Sequence, residues 1–104
     1  MVKYNLMGEI SQLSIDLLSK LGPKMVELFP PSEAYSSKEG NIRVEEKNLS
    51  PKTLGIEFFY DSWYDMPCMV RVNLETKEVI EYNPTHTNGF ATIKPHLEKI
   101  LSKL

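Results

Sequence analysis

The side chains with the greatest capacity for chemistry in this 104-residue sequence are two histidines and one cysteine. His86 lies in a loop-like stretch with proline, asparagine and glycine, where a histidine can act as a general acid or base. His96 follows in a helical pattern, and the two histidines do not have the spacing of a metal-binding motif. Cys68 would need a base and an oxyanion hole to act as a nucleophile. We therefore expect no catalytic residue, no metal and no cofactor, with a small hydrolase using His86 as an alternative.

Composition and charge narrow the function classes further. Hydrophobic residues make up 41% and charged residues 25% of the chain, which predicts one globular domain over residues 1–104. The net charge of −2 gives no global basic field, so direct binding of nucleic acid is not expected. No apolar run approaches a membrane span, no signal peptide is apparent, and a single cysteine requires no oxidising compartment. These features predict a cytoplasmic protein.

The most unusual stretch runs from Glu57 to Pro67. Five of the ten aromatic residues of the chain lie between positions 58 and 64, interleaved with acids and with no lysine or arginine. Tyrosine and tryptophan combine rigid area with a polar tip and are enriched at the energetic centres of interfaces. Acids around them suit a basic partner. The alternative is that these rings are core of a small protein and that the rest of the stretch is a solvated turn.

We take this stretch and its sheet neighbours as a candidate partner-binding surface. If Phe58 faces the helices, then Glu57 and Phe59 face away, because successive strand residues alternate sides. The candidate residues are Glu57, Phe59, Asp61, Trp63, Tyr64, Asp65, Arg71 and His86.

The charge distribution points to the same region. Residues 33–81 hold ten acids and six bases, a net charge of −4, whereas residues 82–104 carry +2. The strand region is therefore expected to be acidic and the C-terminal helix basic. A solvated surface explains this asymmetry, and so does an acidic docking face for a cationic protein.

Apolar periodicity predicts the elements that position these residues. Helical spacing starts at Leu6 and continues to Leu21, and Pro23 is expected to interrupt it and to open a second short helix. Strand-like alternation follows in 42–47, 54–60 and 69–82, the last as a hairpin. A final helix is expected from about Thr92 to Leu104, with Pro95 in its first turn.

This order predicts an α+β fold. Short connections between consecutive strands favour an antiparallel meander of three to five strands. Helices at the two ends of the chain can then pack together on one face of the sheet, which leaves the second face partly open.

The segment from Glu57 to Asp65 and the hairpin from Val70 to Tyr82, on a single α+β domain of this length, resemble bacterial immunity proteins. These are small cytosolic inhibitors that protect a cell from a cognate toxin in contact-dependent growth inhibition or colicin systems. The resemblance lies in general character and not in a shared motif. It implies a stoichiometric complex with a toxin domain, a nuclease whose basic cleft is filled by acids.

Two other classes of binding protein stay open at this point. A small-molecule-binding or regulatory domain would hold an apolar cavity between sheet and helices. A homodimer would pair an exposed strand edge or aromatic face with its copy. The fold alone does not choose among them, because function lies in sites.

Overall fold

A computed structural model describes residues 3–28, 42–58, 68–81 and 87–104, and these residues form a sheet and two helices. The elements in chain order are β1 (Tyr4–Leu6), α1 (Gln12–Leu28), β2 (Ile42–Lys47), β3 (Thr53–Phe58), β4 (Cys68–Asn73), β5 (Val79–Glu81) and α2 (Thr87–Leu101).

The sheet has five strands in the order β1-β2-β3-β4-β5. Strands β2 to β5 pair antiparallel as a meander, and β1 joins β2 in parallel. A parallel pair needs a crossover connection, and α1 lies within that connection. The predicted α+β class, with up to five strands, is confirmed, and the parallel edge strand is an addition to the expected meander.

The core lies on one face of the sheet, where strand alternation places the apolar side chains. Phe58 is fully buried whereas its neighbour Glu57 is partly exposed, as the period-two pattern predicted. Both helices contribute to the same apolar cluster. Its fully buried members include Leu17, Leu21, Met25, Ile42, Val44, Leu54, Phe58, Val72 and Leu97.

The first helix begins later than its apolar spacing predicted. Tyr4 to Leu6 form β1, and Gly8 follows with a φ of +115°, a conformation that favours glycine and cannot continue a helix. Ser11 then precedes the first helical residue and acts as the N-cap, its hydroxyl accepting from the backbone N–H of Ser14 at 3.4 Å. The prediction of a helix from Leu6 was therefore wrong.

The predicted break at Pro23 was also wrong, because α1 runs through it. Pro23 removes the N–H that would donate to the carbonyl of Ser19. Both Ser19 and Pro23 lie on the exposed side of the helix, so water can bond the freed carbonyl. Helix α2 likewise begins at Thr87 and runs through Pro95. The carbonyl that Pro95 leaves without a donor belongs to Ala91, and both residues are exposed.

Replacing Pro23 with alanine is expected to raise the free energy of unfolding by about 2 kcal/mol or slightly more. Alanine restores the backbone bond to Ser19 and removes a ring clash that costs about 3 kcal/mol in a helix interior. A less ordered unfolded chain offsets about 0.4–1 kcal/mol of that gain. Urea unfolding measures the change, with Pro95→Ala as an independent repeat in α2. A loss of stability in Pro23→Ala would show instead that the bend at this proline is needed for core packing.

Candidate functional site

The face of the sheet opposite the helices carries a regular array of polar side chains. The outward residues of β2, β3 and β4 are called the open face below. Cross-strand register groups them into three rows: Arg43–Glu57–Met69, Glu45–Gly55–Arg71 and Lys47–Thr53–Asn73. Their side chains are exposed or half-buried, whereas the inward residues between them are buried, apart from half-buried Glu46.

Gly55 lies at the centre of the open face, in the middle strand of the sheet. A groove of about 160 Å³ lies over the open face, with Met7 and Met69 among its walls. A Cβ at Gly55 would meet a single atom within 4 Å, the carbonyl oxygen of Glu45 at 3.6 Å, which is ordinary van der Waals contact. The absence of a side chain therefore exposes backbone in the groove without being required by the packing around it.

The charges of the open face are mixed. Among its described residues, three are cationic (Arg43, Lys47 and Arg71) and two are acidic (Glu45 and Glu57). An Nη atom of Arg43 lies 3.7 Å from Oε1 of Glu57, and the other Nη atom lies 3.8 Å from Sδ of Met7. Exposed pairs of this kind stabilise a fold little, but they fix which charges a partner would have to match.

The excess of acids in residues 33–81 does not collect on this face within the described chain. Glu46 pairs with Leu54 in an inward row, whereas Glu45 lies on the open face. Glu75 lies in the turn after β4, where its carboxylate accepts from the backbone N–H of Lys52 at 2.8 Å. The consecutive acids Glu45 and Glu46 thus lie on opposite faces of the sheet, since neighbouring strand residues alternate.

The Glu46 carboxylate lies at the beginning of α1. It accepts the backbone N–H of Ser11 at 3.1 and 3.2 Å, the hydroxyl of Ser11 at 2.6 Å, and the hydroxyl of the fully buried Ser14. Burial opposes ionisation, but these hydrogen bonds and the charge of Lys52 outweigh it, so the pKa of Glu46 lies below its usual value. This cluster is a cap that joins β2 to α1.

A second tertiary hydrogen bond joins β1 to the same helix. The hydroxyl of Tyr4 donates to the carbonyl oxygen of Leu18 at 2.8 Å, and burial raises the pKa of the Tyr4 phenol. Tyr4 and Glu46 thus hold α1 against the inward face of the sheet. Neither side chain belongs to the open face.

The predicted binding residues fall into two groups. Glu57 and Arg71 lie on the open face in adjacent rows, on neighbouring strands. The remaining six, Phe59, Asp61, Trp63, Tyr64, Asp65 and His86, lie outside the described residues. Strand β3 ends at Phe58 and β4 begins at Cys68, and these two residues form a register pair next to the row of Glu57.

Sequence reasoning missed Gly55, Arg43 and Glu45 as parts of this surface. Their signal was present: Gly55 interrupts an alternating apolar run, and an isolated glycine in a strand marks a bulge or a close approach. No bulge occurs there, because the register with β2 and β4 is continuous. The described chain does not approach Gly55 closely either, because a Cβ there would meet only the Glu45 carbonyl oxygen at 3.6 Å.

The described ranges contain neither a metal-binding cluster nor a membrane-spanning helix. In them, no three histidine, cysteine, aspartate or glutamate side chains lie close enough together to hold a metal ion. Neither α1 nor α2 has the length and apolarity of a membrane-spanning helix.

Comparison of the chain with protein-family models, with curated proteins and with solved structures returned no match. What this protein does must therefore be inferred from its own residues.

Proposed function

We propose that this protein is a stoichiometric inhibitor of the immunity type, which docks on a cognate toxin domain through the open face and the adjoining segment 57–65. The observation that carries the proposal is Gly55 at the centre of the open face. The toxin domain is proposed to be a nuclease with a basic cleft, and the inhibitor acts by occupying that cleft, without catalysis.

Gly55 lowers the stability of the strand that carries it. Glycine in a strand interior costs roughly 0.5–1 kcal/mol relative to alanine, because it loses more backbone freedom and packs no side chain. No positive φ requires it, and the space above it is open. The residue therefore weakens the strand without a benefit to the fold. A partner side chain that reaches the exposed backbone supplies such a benefit.

The charges around Gly55 support a protein as the partner. Arg43, Glu57, Glu45 and Arg71 alternate in sign across the rows. An array of both signs specifies one orientation of a matching surface, and it disfavours wrong partners through like-charge contacts. The described open face carries three cations and two acids, and the preference for a cationic partner comes from Asp61 and Asp65, which follow Glu57 in the sequence.

The test begins with the neighbouring gene. A secreted toxin encoded directly upstream is expected, and its C-terminal domain should form a one-to-one complex with this protein and lose its nuclease activity. Size-exclusion chromatography with a nuclease assay measures both. A neighbouring toxin domain that neither binds nor is inhibited would contradict the proposal, and so would a genome with no such toxin beside this gene.

Within that complex, Trp63→Ala and Asp61→Ala are expected to differ. Loss of a central aromatic anchor should weaken binding by more than about 2 kcal/mol, mainly through faster dissociation. Loss of a rim acid should slow association and reduce its dependence on salt. Surface plasmon resonance at two salt concentrations separates these effects. Unchanged affinity in both variants would remove segment 57–65 from the interface.

A further inference from the structure

A second surface lies on the helical side of the molecule, away from the open face. A groove of about 440 Å³ runs between α1 and α2 and is called the lysine groove below. Its charged lining consists of four lysines, Lys20 and Lys24 from α1 and Lys99 and Lys103 from α2. His96 and half-buried Ile100 from α2 also line it.

The helical periodicity explains why these side chains converge. Lys20 and Lys24 are four residues apart and share one side of α1. His96, Lys99 and Lys103 are separated by three and four residues and share one side of α2. The two sides face each other across the groove.

This arrangement of like charges is electrostatically unfavourable. Lys20 and Lys24 on α1, and Lys99 and Lys103 on α2, form one like-charge pair per helix at a spacing of four residues, and such pairs destabilise a helix. None of the residues that line the groove is acidic. Glu27 pairs with Lys24 at 3.2 Å from outside the lining and offsets one of the four charges. The groove is therefore a local cationic site on a chain whose net charge is −2.

We propose that the lysine groove binds a small phosphate-rich anion, such as a di- or triphosphate group. Lysine ammonium groups bind phosphate as point charges, and several around one groove can neutralise a short run of phosphates. The volume of the groove falls in the range of small-molecule sites. The apolar lining residues Pro95 and Ile100 offer contact to whatever carries the phosphates.

The surroundings favour a small anion over a membrane surface. Membrane-bound helices place apolar side chains beside the basic face so that both reach the interface. The exposed large apolar residues of α1, Ile15 and Val26, do not line the groove. The acidic balance of the whole chain also disfavours a long nucleic acid, which would extend past the groove onto negative surface.

The test is titration calorimetry of the full chain with inorganic triphosphate and, separately, with adenosine triphosphate at low ionic strength. Saturable binding of one molecule per chain is expected, and it should weaken as salt is added. Lys24→Gln/Lys99→Gln should reduce the affinity about tenfold or more, because it removes one charge from each side of the groove. Lys3→Gln/Lys94→Gln removes the same charge from outside the lining and should change the affinity less than about twofold.

The two titrants distinguish the source of the phosphates. Equal affinities would mean that the phosphates alone are bound, and tighter binding of the nucleotide would mean that the apolar lining residues contribute. No saturable binding of either titrant would overturn the proposal. Equal weakening by both double variants would also overturn it, since the attraction would then come from the overall charge and not from the groove.

Discussion

Gly55→Val is expected to abolish docking on the partner while leaving the fold intact. Valine would fill the centre of the groove and hold a partner side chain off the backbone, which should weaken binding by about 100-fold or more. A Cβ at this position has room, and β-branched residues suit strands, so the free energy of unfolding should stay equal or rise by about 0.5–1 kcal/mol. Calorimetric binding and urea unfolding on the same sample measure the two effects.

The combination of the two effects makes this prediction discriminating. Gly55→Ala, with a smaller side chain, should lose less affinity than the valine variant. Leu49→Ala changes an exposed apolar residue outside the groove and should affect neither quantity strongly. Full affinity in a well-folded Gly55→Val protein would show that the groove around Gly55 is not where the partner binds.

Glu46→Ala is expected to destabilise the fold by about 2–3 kcal/mol. Without the carboxylate, the backbone N–H of Ser11 and the fully buried hydroxyl of Ser14 both lose an acceptor. Leaving a buried donor unpaired costs about 1–3 kcal/mol, and loss of a helix cap typically costs about 1 kcal/mol. The helix would also lose its charged link to β2. Urea unfolding of the variant measures the loss.

The same contact predicts how stability changes with pH. The pKa of Glu46 is lowered in the folded protein, so the unfolded state binds its proton first as pH falls. The stabilisation is therefore present above the ordinary carboxyl pKa and is lost as pH falls through the lower, folded value. The wild-type protein should lose stability below about pH 4.5 more steeply than Glu46→Gln.

Glu45 supplies a matched control for the stability measurement. It is the preceding residue on the same strand and carries the same charge, but it is exposed on the open face. Glu45→Ala should change the free energy of unfolding by less than about 0.5 kcal/mol. Equal losses in the two alanine variants would show that the cap does not stabilise α1.

The strand faces were predictable because a period of two is a local property. Phe58 inward with Glu57 outward, and Val70 and Val72 opposite Met69 and Arg71, follow directly from alternation. The edge strand β1 was not predictable in this way. It has three residues, and its pairing with Ile42 depends on a partner far along the chain. Leu6, the last residue of β1, lies at a helical spacing from the apolar residues of α1, and this spacing led to the wrong prediction of a helix from Leu6.

The prolines show a second limit of sequence reasoning. A proline inside a helical pattern predicts an end or a kink, but whether the helix continues depends on what the freed carbonyl meets. Pro23 and Pro95 both lie on exposed sides of their helices, where water can meet it. That exposure is decided by tertiary packing, which local patterns do not contain.

The candidate site was predictable only in part for a related reason. The sequence placed Glu57 and Arg71 outward, but a count of acids does not tell which of them share a face. Glu46 contributes to the acidic count, yet its charge is used at the N-terminus of α1, where it contacts Ser11, 35 residues away in the chain. The contacts of Glu46 with the start of α1 become visible only when the helix is packed on the sheet.

The most direct test of the docking proposal is a footprint of the complex by nuclear magnetic resonance. Amide shifts of the isotope-labelled protein should be recorded with and without the toxin domain. The largest changes are expected at Glu45, Gly55, Glu57 and Arg71, the centre of the open face. A footprint on α1 and α2 that leaves those amides unmoved would contradict the proposed docking face.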